Sequence, residues 1–188
     1  RTYNLVAFDL SSEMLTKAYE KLYRFKNVKL LNQDMTSFEL NKKFDSIISI
    51  CDSINYILDI KDLFCTFTNV YNHLEEDGIF IFDINSFYKL EKIIGNNIFI
   101  EDRDDVFYTW QNEFNCYNNI CSFYLTFFIN KDDRYYRFDE EHEERAYNVE
   151  EITDILYKIG FKKIEYFDCF TFNKINPDTE RINFIAIK

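Results

Sequence analysis

The sequence is short of the residues that let a backbone turn sharply: its 188 residues hold 3 glycines and 1 proline. Positive-φ turns and close backbone approaches to a ligand therefore have few places to occur. No apolar run approaches the roughly 20 residues that span a bilayer, and no secretory leader is expected. Lys and Arg total 22 against 33 Asp and Glu, a net charge of −11. Without a basic stripe, the chain is a poor match for DNA or for an anionic membrane. The five cysteines (Cys51, Cys65, Cys116, Cys121, Cys169) contain no CxxC pair, and only His73 and His142 stand to join them. Metal-ligand spacing is thus lacking and no metal is expected. Such thiols read as reduced and mostly buried, which predicts a cytoplasmic protein.

What is present is a 47% apolar composition, enough for one domain with a single core. The 19% aromatic share, 21 Phe and 14 Tyr, reads mainly as the imprint of an AT-biased genome. The acidic runs 101–105 and 139–144 read as solvated faces.

Tyr3-Asn4-Leu5-Val6-Ala7-Phe8 closed by Asp9 predicts a buried strand, and Ser11-Ser12-Glu13 predicts the start of a helix carrying Met14, Leu15, Ala18, Leu22 and Phe25. Further strands are expected at 28–31, 44–50 and 79–83. A helix carrying Leu63, Phe67, Val70, Tyr71 and Leu74 lies between the last two. Alternation of this kind predicts an α/β fold with a parallel sheet. After a short helix at 88–94, strands at 106–113, 120–130 and 135–145 predict an antiparallel meander. Its turns fall at Cys116-Tyr117-Asn118-Asn119 and Lys131-Asp132-Asp133. A helix at 149–159 closed by Gly160 and strands at 161–170 and 181–187 complete the chain. The expected division is a core of 1–95 and 148–188 with an insert of 96–147.

In open parallel sheets, ligands bind at the carboxyl ends of the strands. Asp9, Gln33-Asp34, Cys51-Asp52-Ser53 and Asp83 to Asn85 gather there. Asp9 is placed to accept both hydroxyls of a ribose, or else to cap its own helix. Asp34 is placed to accept from an adenine amino group, with the Met35 backbone beside it. Met14 either covers the ring or packs in the core.

The run Ala7-Phe8-Asp9-Leu10-Ser11-Ser12-Glu13-Met14-Leu15 resembles the second-strand motif of small-molecule class I S-adenosylmethionine (SAM) dependent methyltransferases. Asn32-Gln33-Asp34-Met35 is similar to that family's adenine-contacting motif, and Phe44-Asp45-Ser46-Ile47-Ile48 to its fourth strand. His73-Leu74 with Asp77-Gly78 and 79–82 resembles the approach to its fifth strand. The meander and His142-Glu143-Glu144-Arg145-Ala146-Tyr147 look like a bacterial subgroup with an inserted lid.

The resemblance implies a Rossmann-like sheet lacking its first strand and glycine loop, since Gly78, Gly95 and Gly160 all fall elsewhere. That strand would lie between the second and fourth. Its lack, with the start on Arg1, predicts a further N-terminal segment and poor SAM binding by these 188 residues alone. The resemblance implies SAM as cofactor, contacted by Asp9, Leu10, Met14, Asp34, Met35, Cys51 and Asp52. Tyr56, Trp110, His142, Arg145 and Tyr147 are the candidate contacts of a small-molecule acceptor, with His142 the candidate base. His142 has the alternative of bonding a neighbouring Glu, and Arg145 of pairing with Glu113 or Glu143. A nicotinamide-dependent oxidoreductase and a non-catalytic SAM-binding module are the alternatives, and either a monomer or a homodimer is expected.

Overall fold

The computed structural model describes residues 3–132 and 134–188. Strand β1 (Leu5–Asp9) leads into helix α1 (Ser12–Leu22) and returns as β2 (Val28–Asn32). The two strands run parallel, with Leu5 opposite Val28 and Asp9 opposite Asn32. The helix begins where the Ser11 hydroxyl accepts from the Met14 amide at 3.2 Å, satisfying a donor that the first turn leaves free.

A four-stranded sheet holds the core. Its order is β3 (Phe44–Ser49), β4 (Leu74–Asn85), β10 (Arg181–Ile187) and β9 (Lys163–Asp168). β3 and β4 are parallel, joined through helix α2 (Ile60–His73), and β10 runs antiparallel between β4 and β9. Helices α2 and α3 (Val149–Ile159) cover one face. The core between helices and sheet is built largely of phenylalanine: Phe67, Phe80, Phe82, Phe161 and Phe184 are almost fully buried. The Phe82 and Phe184 rings stack at 4.9 Å. Whatever its genomic origin, the aromatic excess supplies large apolar areas and stacking contacts to a compact core. Gly160 ends α3 at φ 122°, where a side chain is strained.

The insert is a separate antiparallel sheet of four strands: β5 (Ile98–Arg103), β6 (Val106–Asn115), β7 (Ile120–Lys131) and β8 (Arg134–Arg145). The sequence predicts only three strands here. It misses β5 because Ile98 and Ile100 face outward and acids follow, so no buried-face alternation appears. Part of the acidic run at 101–105 is therefore strand. The expected turn before β8 includes Asp133, which lies outside the described residues. The insert rests on a π-helical segment (Lys89–Ile94) through Leu90, Ile94, Cys121 and Phe123. Gly95 lets the two meet, since a Cβ there would lie 2.7 Å from that of Phe114.

Two features depart from the sequence reading. Cys51, Cys65 and Cys116 are exposed and only Cys121 is buried, because the others sit in a turn, on the outer side of α2 and in a hairpin loop. Glu144, in the run read as solvated, is 3% exposed. The core strands fall into two sheets, β1–β2 and β3–β4–β10–β9, in keeping with the expected gap between the family's second and fourth strands. Among the described residues, nothing pairs with the second edge of β1 or of β3. The resemblance places the family's first strand in that gap. Ile48 and Ile50 stand more than half exposed beside it, and α1 buries none of its residues. No helix among the described residues is long and apolar enough to cross a membrane.

Candidate cofactor and acceptor site

The parallel register of β1 and β2 brings their carboxyl ends level, so Asp9 and the start of the Asp34 loop emerge side by side. Asn32 fixes this mouth: its Nδ2 donates to the carbonyls of Asp9 at 3.0 Å and Leu10 at 2.8 Å. Asp9 Oδ1 accepts from the Ser11 amide at 2.8 Å, a local turn that uses one carboxylate oxygen, while the helix cap itself is Ser11 and not Asp9. Asp34 Oδ1 accepts from the amide and the hydroxyl of Thr36, both at 2.8 Å. Leu10 and Met14 are 72% and 61% exposed, so Met14 is outside the core. Met35 packs partly against it. Gln33 Oε1 is buried without a partner in the same loop.

The Asp34 loop is pinned from behind by His73. Its Nε2 accepts from the Leu40 amide at 3.0 Å, and its Nδ1–H donates to the Asn69 carbonyl at 2.7 Å. Both partners require the neutral imidazole with the proton on Nδ1.

The second half of the site follows β3. Cys51 and Asp52 both take left-handed backbone conformations, φ 60° and 53°. Residues other than glycine adopt that region at a cost, and such outliers concentrate at functional turns. The turn leads into a short 3-10 segment (Ser53–Tyr56) whose Asn55 is fully buried. Asn55 accepts from the Asn85 amide at 2.9 Å and donates to the carbonyls of Asn85 at 3.1 Å and Arg145 at 2.9 Å. One side chain thus joins the turn, the end of β4 and the end of β8.

A charged network spreads from that joint. Arg181 bonds Asp52 at 2.7 Å and also pairs with Asp83, whose Oδ2 accepts from the Asp52 amide at 3.2 Å. Asn85 Nδ2 donates to Asp52 Oδ2 at 3.1 Å and to Glu144 Oε2 at 2.7 Å, while Lys89 Nζ donates to Asn85 Oδ1 at 2.9 Å. Burial pushes the Glu144 carboxyl up to about 8; the Asn85 amide opposes this and the neighbouring Asp52 charge adds to it. Burial, then Glu144 and Asp52, raise the Tyr56 phenol above its ordinary value.

Tyr56 also lines a cavity of about 440 Å³ with Ser122, Tyr124, Glu141, His142 and Glu143. The His142 ring meets that of Tyr56 edge-on at 6.1 Å, and its Nε2 lies 3.4 Å from Glu140 Oε2, the neighbouring-Glu alternative weighed for it.

Other candidates sit elsewhere. Tyr147 is 1% exposed and donates its hydroxyl to the Ile57 carbonyl, so it is a packing residue. Arg145 lies over the Tyr147 ring, donates to the Leu58 carbonyl at 3.0 Å and pairs with Glu151 at 3.7 Å. It meets neither Glu113 nor Glu143, and is occupied as a strut. Trp110 packs between Phe99 and Phe123 inside the insert's own core. Sequence reasoning passed over Asn55 as a joint and omitted Glu144, Lys89 and Arg181. Only Glu144 carried a signal: the hairpin turn sets it opposite Cys121, on the face that Phe123 buries.

Residues 1–78 match the methyltransferase domain family. YqeM of Bacillus subtilis (strain 168), which carries a provisional methyltransferase name, is 31% identical over 187 residues, 99% of this chain and 76% of its own. The chain belongs to the class I SAM-dependent methyltransferases. A SAM-dependent methyltransferase structure from Clostridium acetobutylicum ATCC 824 shares 45% identity at a TM-score of 0.90, over 98% of this methyltransferase and 74% of that chain. CalS10 of Micromonospora echinaspora, an amino pentose methyltransferase, aligns at a TM-score of 0.76 over 97% of this chain and 72% of its own. Its identity is 17%, so that likeness is one of fold. Membership replaces the nicotinamide alternative, in which Asp34-Met35 has no role.

Proposed function

We propose that this SAM-dependent methyltransferase acts on a small-molecule acceptor held between the carboxyl ends of β3 and β4 and the inserted sheet. The observation that carries the reading is the cavity at Tyr56 and His142, which opens where the insert meets the turn after β3. CalS10, which shares the fold, acts on a small amino sugar, in keeping with an acceptor of that size.

The residues present fit the cofactor. Asp9 and Asp34 each keep a carboxylate oxygen outside their own loop bonds, and the exposed Leu10 and Met14 offer apolar cover for a flat ring. Asp9 would hold the ribose, Asp34 and Met35 the adenine, and Cys51 and Asp52 the methionine end. SAM supplies a methyl group already activated by its sulfonium. The chain's share of the work is then alignment and exclusion of water. Tyr56 and His142 border the acceptor, and His142 stands where it can receive a proton.

Titration calorimetry of SAM into the full-length protein tests the cofactor half. Asp9→Ala and Asp34→Ala are each expected to weaken SAM binding about 10- to 100-fold, the worth of a charge-assisted hydrogen bond, with unchanged circular dichroism. Unaltered affinity in both variants rejects the assignment. Release of S-adenosylhomocysteine with any small acceptor separates an enzyme from a non-catalytic SAM-binding module.

A further inference from the structure

Strand β8 is an open edge of the insert. It pairs with β7 in one unbroken register, and among the described residues no strand pairs with its other side. One step beyond that ladder the Ala146 amide donates to the Asn119 carbonyl at 2.8 Å. The even-numbered residues of β8 therefore turn their backbone groups to β7, and the odd-numbered ones turn theirs outward. Asn55 takes the outward carbonyl of Arg145. The residues from Arg134 to Glu141 are all exposed, with Tyr135 at 67%, Tyr136 at 53% and Phe138 at 39%. Such an edge is a template for another strand, and this one carries no Pro, Lys or bulge to blunt it. Its charges are divided instead. Arg134 and Arg137 lie in the first half, while Asp139, Glu140, Glu141 and Glu143 lie in the second. Acids in that number repel a like strand laid parallel, but an antiparallel copy sets each acidic half against a basic one.

We propose that β8 pairs antiparallel with β8 of a second copy of this chain, with the two-fold axis at Phe138, so that two four-stranded inserts form one continuous sheet. Symmetry limits the register. Facing residues must turn their backbone groups the same way, so one residue faces its own copy at the axis. At Arg137 or at Asp139 that residue meets a like charge, which is destabilising. At Phe138 ring meets ring, Arg137 faces the partner's Asp139, and Tyr135 faces the partner's Glu141. The ladder then spans 135–141, within the exposed stretch, and its backbone bonds come from the outward residues 135, 137, 139 and 141. Arg137 and Asp139 of one strand already stand 3.0 Å apart, and the axis brings two such pairs together with their signs alternating. Phe138 stacks on Phe127 at 4.8 Å and Phe127 meets Tyr108 at 5.4 Å, so the aromatic row runs on across the axis. The same register sets the partner's Arg134 opposite His142, and with the partner's Tyr135 it edges the cavity that Glu141 and His142 line. That consequence rests on the acceptor reading above; the pairing itself does not.

Sedimentation velocity of the full-length protein across about 5 to 500 μM is expected to show a monomer–dimer equilibrium, with a Kd on the order of 1–100 μM as suits a contact of one strand pair. Arg137→Glu and Asp139→Arg each set like charges across the axis, and each is expected to weaken dimerisation at least about 10-fold. Both positions are more than half exposed, so circular dichroism should be unchanged. The two variants mixed in equal amounts should dimerise as the parent does, because every 137–139 contact between them joins opposite charges again. Phe138→Cys is expected to give a disulfide-linked dimer on mild oxidation, located by the mass of the cross-linked peptide. Facing residues of that parity stand about 4.5 Å apart between Cα atoms, within a disulfide's reach. A monomer at every concentration, a dimer that neither charge variant weakens, a mixture no more dimeric than its parts, or no cross-link at position 138 each overturn the proposal. Failure of SAM binding bears instead on the cofactor reading and leaves these outcomes unaltered.

Discussion

Glu144 gives the sharpest quantitative expectation, because its environment acts on stability as well as on chemistry. Burial raises its carboxyl from the ordinary 4.5 to about 8. In the native state it therefore holds a proton across a pH range where the unfolded chain has released it. Stability rises with pH only where the unfolded state binds more protons; here the native state binds more. The contribution is complete below about pH 4.5, declines as pH rises, and is gone above about pH 8. At roughly 1.4 kcal/mol per pKa unit, the ceiling is about 5 kcal/mol. Relaxation of the Asp52 pair and entry of water reduce this to an expected loss of about 2–3 kcal/mol between about pH 5.5 and pH 8.5. Urea unfolding of the unaltered protein and Glu144→Gln, run at half-unit intervals, isolates the effect, because every other titrating group is common to both. The difference between the two stability curves should change by about 2–3 kcal/mol over that range, with the unaltered protein losing ground as pH rises. Curves parallel within about 0.5 kcal/mol would refute a native-state proton on Glu144.

Asn55→Ala removes the partner of two Asn85 backbone groups and of the Arg145 carbonyl in a fully buried place. It is expected to lower stability by about 2–4 kcal/mol, the cost of leaving buried polar groups unpaired, as read from the urea midpoint. Amide hydrogen exchange on these 188 residues should find β1, α1 and β2 exchanging well before β4 and β10. The former unit buries no helix residue, while the latter strands carry Phe80, Phe82 and Phe184 at the centre of the core. Equal protection of the two units would contradict the separation of the sheets.

Much of the fold was legible because its elements have strong local signatures. Asp9 closes an apolar run and Ser11 opens a helix. Gly160 needs its positive φ, and Phe123 and Leu125 alternate with the polar Ser122, Tyr124 and Thr126. β5 was not legible: its outward isoleucines and its acids look like loop, and only pairing with β6 makes it a strand. The placing of Asp9 and Asp34 at neighbouring strand ends was readable for the same local reason, since a strand's last residue is known once the strand is. The acceptor side was not. Arg145 and Tyr147 have the composition of ligand contacts, yet α3 and the Ile57–Leu58 carbonyls occupy both. Long-range partners decide such cases, and no spacing within the chain reveals them.

The same limit explains why the joints are asparagines. Asn55 must accept from one amide and donate to two carbonyls, and Asn85 must donate to two carboxyls while accepting from Lys89. A carboxylate has no hydrogen to give, and in either place would set a further negative charge against acceptors. Asn55→Asp, though nearly isosteric, is therefore expected to destabilise at least as much as Asn55→Ala at pH 7, because the introduced carboxyl either ionises among acceptors or takes up one proton and still lacks a second hydrogen to give. An Asn55→Asp protein as stable as the parent at pH 7 would mean that the joint is filled by shape alone. The insert would then be held over β3 and β4 by apolar packing, and the meeting of Asp52 with Glu144 would no longer be imposed by the fold.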